Sequence, residues 1–238
     1  LKRVSFKPDA EILKHVLPLG ISSFLTQVSI VVIMAVMNNV LVIYGAGSKY
    51  GADIPMTVVG IVMKVFQIVI SVVVGIAAGA QPIVGYNYGA GLWRRVKLIF
   101  RTMMAAEFSV GLVSLICFEV FPVQIISVFG SEDGLYNEFA VLAFRVFLGG
   151  IVLCCIQKSC SIFLQSMGKP ALSMLLSLLR DFVLSVPLTL VLPRLFGVTG
   201  ALYSGPAADV ISFGAAVLCM AAVFRKLNRL EDGEVALY

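Results

Sequence analysis

Residues 54–82 read IPMTVVGIVMKVFQIVISVVVGIAAGAQP, with Lys64 as the single charged side chain. One helical crossing of a bilayer needs about 20 predominantly apolar residues, and this run exceeds that. Backbone amides in lipid must be satisfied within their own segment, so the run predicts a membrane-spanning helix. Five more apolar runs extend outward from it, at about 16–44, 96–121, 138–166, 171–195 and 198–224. The breaks between runs carry turn chemistry. They are Gly45, Gly47 and Gly51; Gly85, Asn87, Gly89 and Gly91; Gly130 through Gly134; Gly168-Lys169-Pro170; and Gly197 with Gly200.

Composition agrees. Of 238 residues, 60% are hydrophobic and 13% charged, against roughly 45–50% and about 25% for a soluble domain. Mean hydropathy is +1.01. Disorder, collagen and a secreted disulfide framework are excluded, and a soluble enzyme has too little charge to cover its surface. The expectation is an all-α polytopic membrane protein, a six-transmembrane-helix bundle over 16–224. Residues 1–15 read as a cytoplasmic linker and interfacial helix start, and 225–238 as a cytoplasmic tail. The first apolar run is longer than a signal-peptide core and follows a polar segment, so no cleaved signal is expected, and the start at Leu1 rather than Met points to a fragment.

The basic residues test the count independently. Lys2, Arg3, Lys7, Lys14, Arg94, Arg95, Lys97, Arg101, Lys169, Arg225, Lys226 and Arg229 fall on one side of the predicted alternation. Lys49 and Arg194 fall on the other, where the third loop carries Glu132, Asp133 and Glu138. The positive-inside rule then puts both termini in the cytoplasm of a multi-pass protein in the plasma or inner membrane. The net charge of +5 is thus read as orientation beside membrane lipids, with no nucleic-acid partner. Cys117, Cys154, Cys155, Cys160 and Cys219 lie in apolar runs, with one His15 and no metal-ligand spacing. They read as small packing groups, and no metal site is expected.

Several polar residues sit inside the apolar runs. Lys64, Arg145, Lys158, Arg180, Glu107, Glu119, Asp181 and Asp209 do so. A mid-bilayer charge costs about 2.5–3.5 kcal/mol, so each needs a partner, a cavity or a helix end. Glu119 reads as loop-adjacent and Arg145 as snorkelling. Stripes at helical spacing comprise Ser23, Gln27, Met34 and Asn38; Met56, Gly60, Lys64, Gln67, Ser71 and Gly75; Lys158, Ser161 and Gln165; and Ser177, Asp181 and Ser185. They fit either a shared hydrated cavity or interhelical hydrogen-bonded packing. Ser71, Gly75 and Gly79 read as a close-packing series. Pro187 and Pro206 are expected to bend their helices.

The most specific segment is 81–91, Gln-Pro-Ile-Val-Gly-Tyr-Asn-Tyr-Gly-Ala-Gly, followed by Arg94 and Arg95. Pro82 is expected to end regular helix hydrogen bonding, with Gly85, Asn87 and Gly89 free for left-handed backbone. This run resembles the signature after the eighth helix of multidrug and toxic compound extrusion (MATE) transporters. Residues 18–27 with Asn38-Asn39 and Tyr44-Gly45 resemble the family's seventh helix, residues 163–169 the end of its tenth, and residues 180–200, Pro206 and Asp209 its eleventh and twelfth.

The resemblance implies one lobe, helices seven to twelve, of a twelve-helix antiporter that exports organic cations by alternating access. A proton or sodium gradient would drive it, with no other cofactor, and the first six-helix lobe would be the partner. Gln27, Asn38, Lys64, Gln67, Gln157 and Gln165 would line the substrate wall. Gln81, Pro82, Gly85, Asn87, Gly89 and Arg94 form the loop motif. A sodium-coupled branch carries a glutamate eight residues after the seventh-helix proline, where Thr26 stands here, and an aspartate on the tenth helix, absent from 138–166. That cation site is therefore not carried over. Asp181 and Asp209 remain candidates for ion coupling, with a structural role as their alternative. A flippase for lipid-linked saccharides, favoured by Lys64 and Lys158, and a non-transporting half or assembly subunit are the competing readings. A membrane-embedded enzyme has no nucleophile–base pair or metal set to work with.

Overall fold

The computed structural model describes residues 10–130 and 134–231. Glu132 and Asp133, the first nine residues and the last seven lie outside them. The helices in order are α1 (Ala10–Ala46), α2 (Asp53–Gly89), α3 (Trp93–Val120), a short α4 (Pro122–Ser127), α5 (Gly134–Phe147), α6 (Ile151–Ser166), α7 (Pro170–Leu178), α8 (Ser185–Phe196) and α9 (Val198–Glu231), with a π-helical turn at Leu179–Leu184 between α7 and α8. No strand occurs among the described residues. Five stretches are long and apolar enough to cross a membrane, Pro170–Phe196 counting as one; α5 and α6 reach that length only together, bent by 44° at their break, and make a sixth if the pair is one span.

The bundle is a multi-pass helical membrane fold, as the apolar runs predict. Its details depart from the sequence reading in three places. The 81–91 motif is not a loop after a terminated helix, because α2 runs through Pro82 to Gly89. Proline removes only one hydrogen bond, and an apolar environment penalises unravelling the rest. Asn87 Nδ2 donates back to the Ile83 carbonyl at 2.7 Å. The left-handed backbone falls on Gly91 alone in this motif, at φ +70°. Second, 138–166 is interrupted at Leu148–Gly150. Third, the irregularity near Pro187 is the π turn just before α8. Proline 187 has no N–H for the Val183 carbonyl, so the regular i→i+4 ladder cannot run through that point. At Pro206, α9 continues unbroken.

Helix α6 is central, packing against α2, α3, α7 and α9. Two apolar clusters fill the bundle. One holds Leu41, Val58, Phe139, Phe144 and Ile151. The other holds Phe163, Leu164, Met220, Val223 and Leu227. Phe100 bridges Phe163 and Phe224 with ring centroids 4.8 and 4.9 Å apart. Some glycines mark close helix approaches. A Cβ on Gly111 of α3 would stand 3.0 Å from Val152 Cα of α6, and one on Gly200 would collide with the Leu192 carbonyl.

Candidate functional site

The polar residues of the spans divide into a buried set and an exposed set. The buried set centres on an ion network. Lys158 Nζ of α6 donates to Asp181 Oδ2 at 2.6 Å. Arg180 Nη1 reaches Asp181 Oδ1 at 2.7 Å, and Arg180 Nε reaches Asp209 Oδ1 of α9 at 2.8 Å. The side chains of Lys158 and Arg180 are 13% exposed and both aspartates 3%. Two cations and two anions neutralise one another, which is the condition for keeping charge in a membrane interior. The guanidinium also lies over the Phe66 ring, 5.6 Å from its centroid.

Local geometry explains how adjacent Arg180 and Asp181 both point inward. They occupy the π turn, and Ser185 Oγ donates to the Arg180 carbonyl at 2.7 Å, five residues back. The wider turn brings consecutive residues closer to one face than an α-helix would. Room for Asp209 comes from the α5–α6 break, since a Cβ on Gly150 would lie 2.6 Å from Asp209 Oδ2.

A hydroxyl and amide zipper continues beside the network. Ser161 Oγ donates to the Ser173 carbonyl at 2.8 Å and lies 2.8 Å from Ser177 Oγ. Gln157 Nε2 donates to the Leu176 carbonyl at 3.0 Å. Gln157 is fully buried, so it pins α6 to α7 and does not face an opening as expected for a wall residue. Thr189 Oγ1 donates to Ser204 Oγ at 3.0 Å, joining α8 to α9.

The exposed set is different. On α2, Met56, Gly60, Lys64, Gln67, Ser71 and Gly75 are all exposed, along one helical stripe. On α1, Gln27, Met34 and Asn38 are exposed, and the Ser23 side chain lies outside those described. The close-packing expectation for Ser71, Gly75 and Gly79 fails within this bundle, because a Cβ on Gly75 or Gly79 would meet nothing within 4 Å. Gln165, at the end of α6, is half-buried. Of the 81–91 motif, Gln81 is half-buried and Pro82 and Gly89 are exposed, while Asn87 is buried. A Cβ on Gly85 would stand 3.4 Å from the Ser166 carbonyl. Arg94 is exposed at the start of α3.

The two ends of the bundle carry their own pairs. Lys97 pairs with Glu231 and donates to Asn228 Oδ1 at 2.7 Å, joining α3 to α9. Lys169 sits near Lys226, and its partial burial, then that like charge, hold its ammonium below the usual lysine range. At the other end Glu138 accepts from Lys49 Nζ at 2.6 Å and from Tyr50 Oη at 2.9 Å. The hydrogen bond to Glu138 lifts the exposed Lys49 ammonium above its ordinary range. Arg145, exposed in the last turn of α5, pairs with Glu119 near the end of α3, Nε to Oε2, at 3.5 Å. No group of His, Cys, Asp and Glu fit to hold a metal occurs among the described residues.

The described helices thus form a multi-pass bundle with one internally neutralised ion network and a separate exposed polar stripe. The chain belongs to the MatE family, whose profile matches residues 19–191; this is a family of membrane transporters, not of enzymes. It is 24% identical over 215 residues to the multidrug export protein MepA of Staphylococcus aureus, covering 89% of this chain and 45% of that one. The Staphylococcus saprophyticus MepA is 26% identical over 212 residues with the same coverages. Among solved structures, an outward-facing multidrug resistance MATE family transporter of the MOP superfamily superposes with a TM-score of 0.83 at 19% identity, over 96% of this chain and 50% of that chain. A MATE in the straight conformation gives 0.82 at 19% identity, over 98% and 50%. The chain thus spans about half the length of the relatives it matches.

Proposed function

We propose that this chain is the second six-helix lobe of a MATE-type antiporter, with both termini cytoplasmic, exporting hydrophobic organic cations by alternating access in exchange for H⁺ or Na⁺. The observation that carries this reading is the exposed stripe on α2, where Lys64, Gln67 and Ser71 follow one another up an otherwise apolar helix. Polar groups facing hydrocarbon are costly, and the open space over Gly60, Gly75 and Gly79 leaves that face for water, substrate or a second lobe. Gln27 and Asn38 extend the polar surface onto α1, and Gln165 adds to it at the end of α6. A partner spanning the other half of the relatives' length would close the cleft, around which the lobes rock. In this reading Asp181 and Asp209 lock α6, the π turn and α9 together through their cations, and Gln157 serves the same packing.

The flippase alternative loses one of its two cations, since Lys158 is consumed by Asp181; Lys64 alone remains to attract an anionic headgroup. The test is ethidium efflux from cells producing this chain together with a six-helix first lobe, with and without a protonophore or a sodium ionophore. Efflux above the empty-vector control that collapses with one ionophore is expected. Efflux equal to the control, or unaffected by either, overturns the reading. The double substitution Gln27→Ala with Gln67→Ala is expected to lower efflux at unchanged protein level.

A further inference from the structure

Glu107 lies near the middle of α3 and is 0% exposed. Neither of its carboxyl oxygens has a partner at full hydrogen-bond geometry, and the polar group that approaches it is the Ser159 hydroxyl on α6, which bonds to nothing else. The two helices touch one turn away, where Gly111 meets Val152 and Cys155. This carboxyl is therefore outside the ion network that satisfies Asp181 and Asp209.

The charged surroundings are sparse. On α6, Cys155 is in electrostatic reach of Glu107 and also feels Asp209 and Arg180, while Lys158, next to Ser159 in sequence, is held by Asp181. Helix α2 has no ionisable residue between Gln67 and Tyr86. On α5, Glu138 and Arg145 are committed to Lys49 and Glu119; α4 has none. On α9, Asp209 is held by Arg180, and Cys219 adjoins Cys160. No cation on these elements pairs with Glu107. An unpaired carboxylate in such surroundings is strongly disfavoured, whereas the protonated acid needs only a local acceptor for its O–H.

We propose that Glu107 is a proton-binding site of this lobe, held as the neutral acid against Ser159 in the seam between α3 and α6. When the carboxyl ionises the O–H bond breaks, the electron pair stays on the carboxylate, and the proton passes to water. The site deepens the antiporter reading above by placing an exchangeable proton within this lobe.

The test is infrared spectroscopy of the purified chain reconstituted in liposomes, reading the C=O stretch of protonated carboxyl groups at neutral pH and its shift in D2O. The wild type is expected to show this band, Glu107→Gln to lose it, and Glu119→Gln to keep it. Ser159→Ala should move its frequency without abolishing it. Glu107→Asp, which keeps the acid, serves as the folded comparison should the glutamine variant fail to assemble; it should retain a displaced band. A wild type without the band, or a band that survives in Glu107→Gln, overturns the proposal. The readout needs no cargo. Efflux without the band rejects the Glu107 site and spares the antiporter; the band without efflux does the reverse.

Discussion

At the scale of single residues, neutralisation inside the spans is the dominant requirement. Asp181 accepts from both Lys158 and Arg180, so Asp181→Asn strands two buried cations with one anion, Asp209. Removing one partner of a buried pair typically costs about 3–5 kcal/mol, and a loss of that order is expected in detergent unfolding titrations; a change below about 1 kcal/mol would contradict the network's role. Gly150→Ala attacks the same network sterically, because the added methyl takes the space of Asp209 Oδ2. It should destabilise the protein, and Gly150→Ala combined with Asp209→Asn should cost less than the sum of the two single changes. Ser161→Ala is a milder case. Interhelical hydrogen bonds in membranes average about 0.6 kcal/mol, so a loss near that size is expected in the same titration.

Elements show how far the sequence was readable. Six apolar runs were legible because lipid leaves helix as the only open option, and glycines marked their ends to within a few residues. The exposed α2 stripe was legible as periodicity, but not its direction, which depends on the neighbours. The embedded charges were visible as a cost, yet the pairing of Lys158 with Asp181 and of Arg180 with Asp209 joins residues 23 and 29 apart and is a property of packing. The helical course of residues 81–89 was not legible in the motif, because proline and glycine end helices readily in water but not in lipid. The π turn had one sequence signal, Pro187 a few residues after two adjacent charges. Deleting Val183 to restore regular α geometry should rotate Arg180 and Asp181 apart; reduced thermal stability, with no further loss on adding Asp181→Asn, would show it. Equal stability would refute the π turn's part in the network.

The whole molecule has one end crowded with positive charge. Arg94, Arg95, Arg225, Lys226 and Arg229 are exposed and Lys169 half-buried, Lys226 lies near Lys169, and a shallow cavity is lined by Ala222, Arg225, Lys226 and Arg229. Lys169 is held below the ordinary lysine range in the folded protein, so the unfolded chain binds more protons in the window below the usual 10.5. Stability should therefore rise with pH as it climbs through the folded value towards that limit, and fall on acidification. Lys226→Met should flatten that slope, measured by unfolding across alkaline pH. Anionic lipid headgroups supply the same relief from outside. Adding phosphatidylglycerol to neutral-lipid nanodiscs should raise the melting temperature, and high salt should erase the gain; an equal rise with neutral lipid would refute an electrostatic cause.

The vacant space over Gly60 and Gly75 has a practical use. Cys154, Cys155 and Cys160 are buried, hidden from aqueous maleimide, so a reporter thiol introduced at Gly60 would be tagged against a quiet background once Cys117 and Cys219 are replaced by alanine. A fluorophore there would sit on the rim of the lobe without disturbing its core, and its quenching would report, in real time, whenever another surface comes to rest against this one.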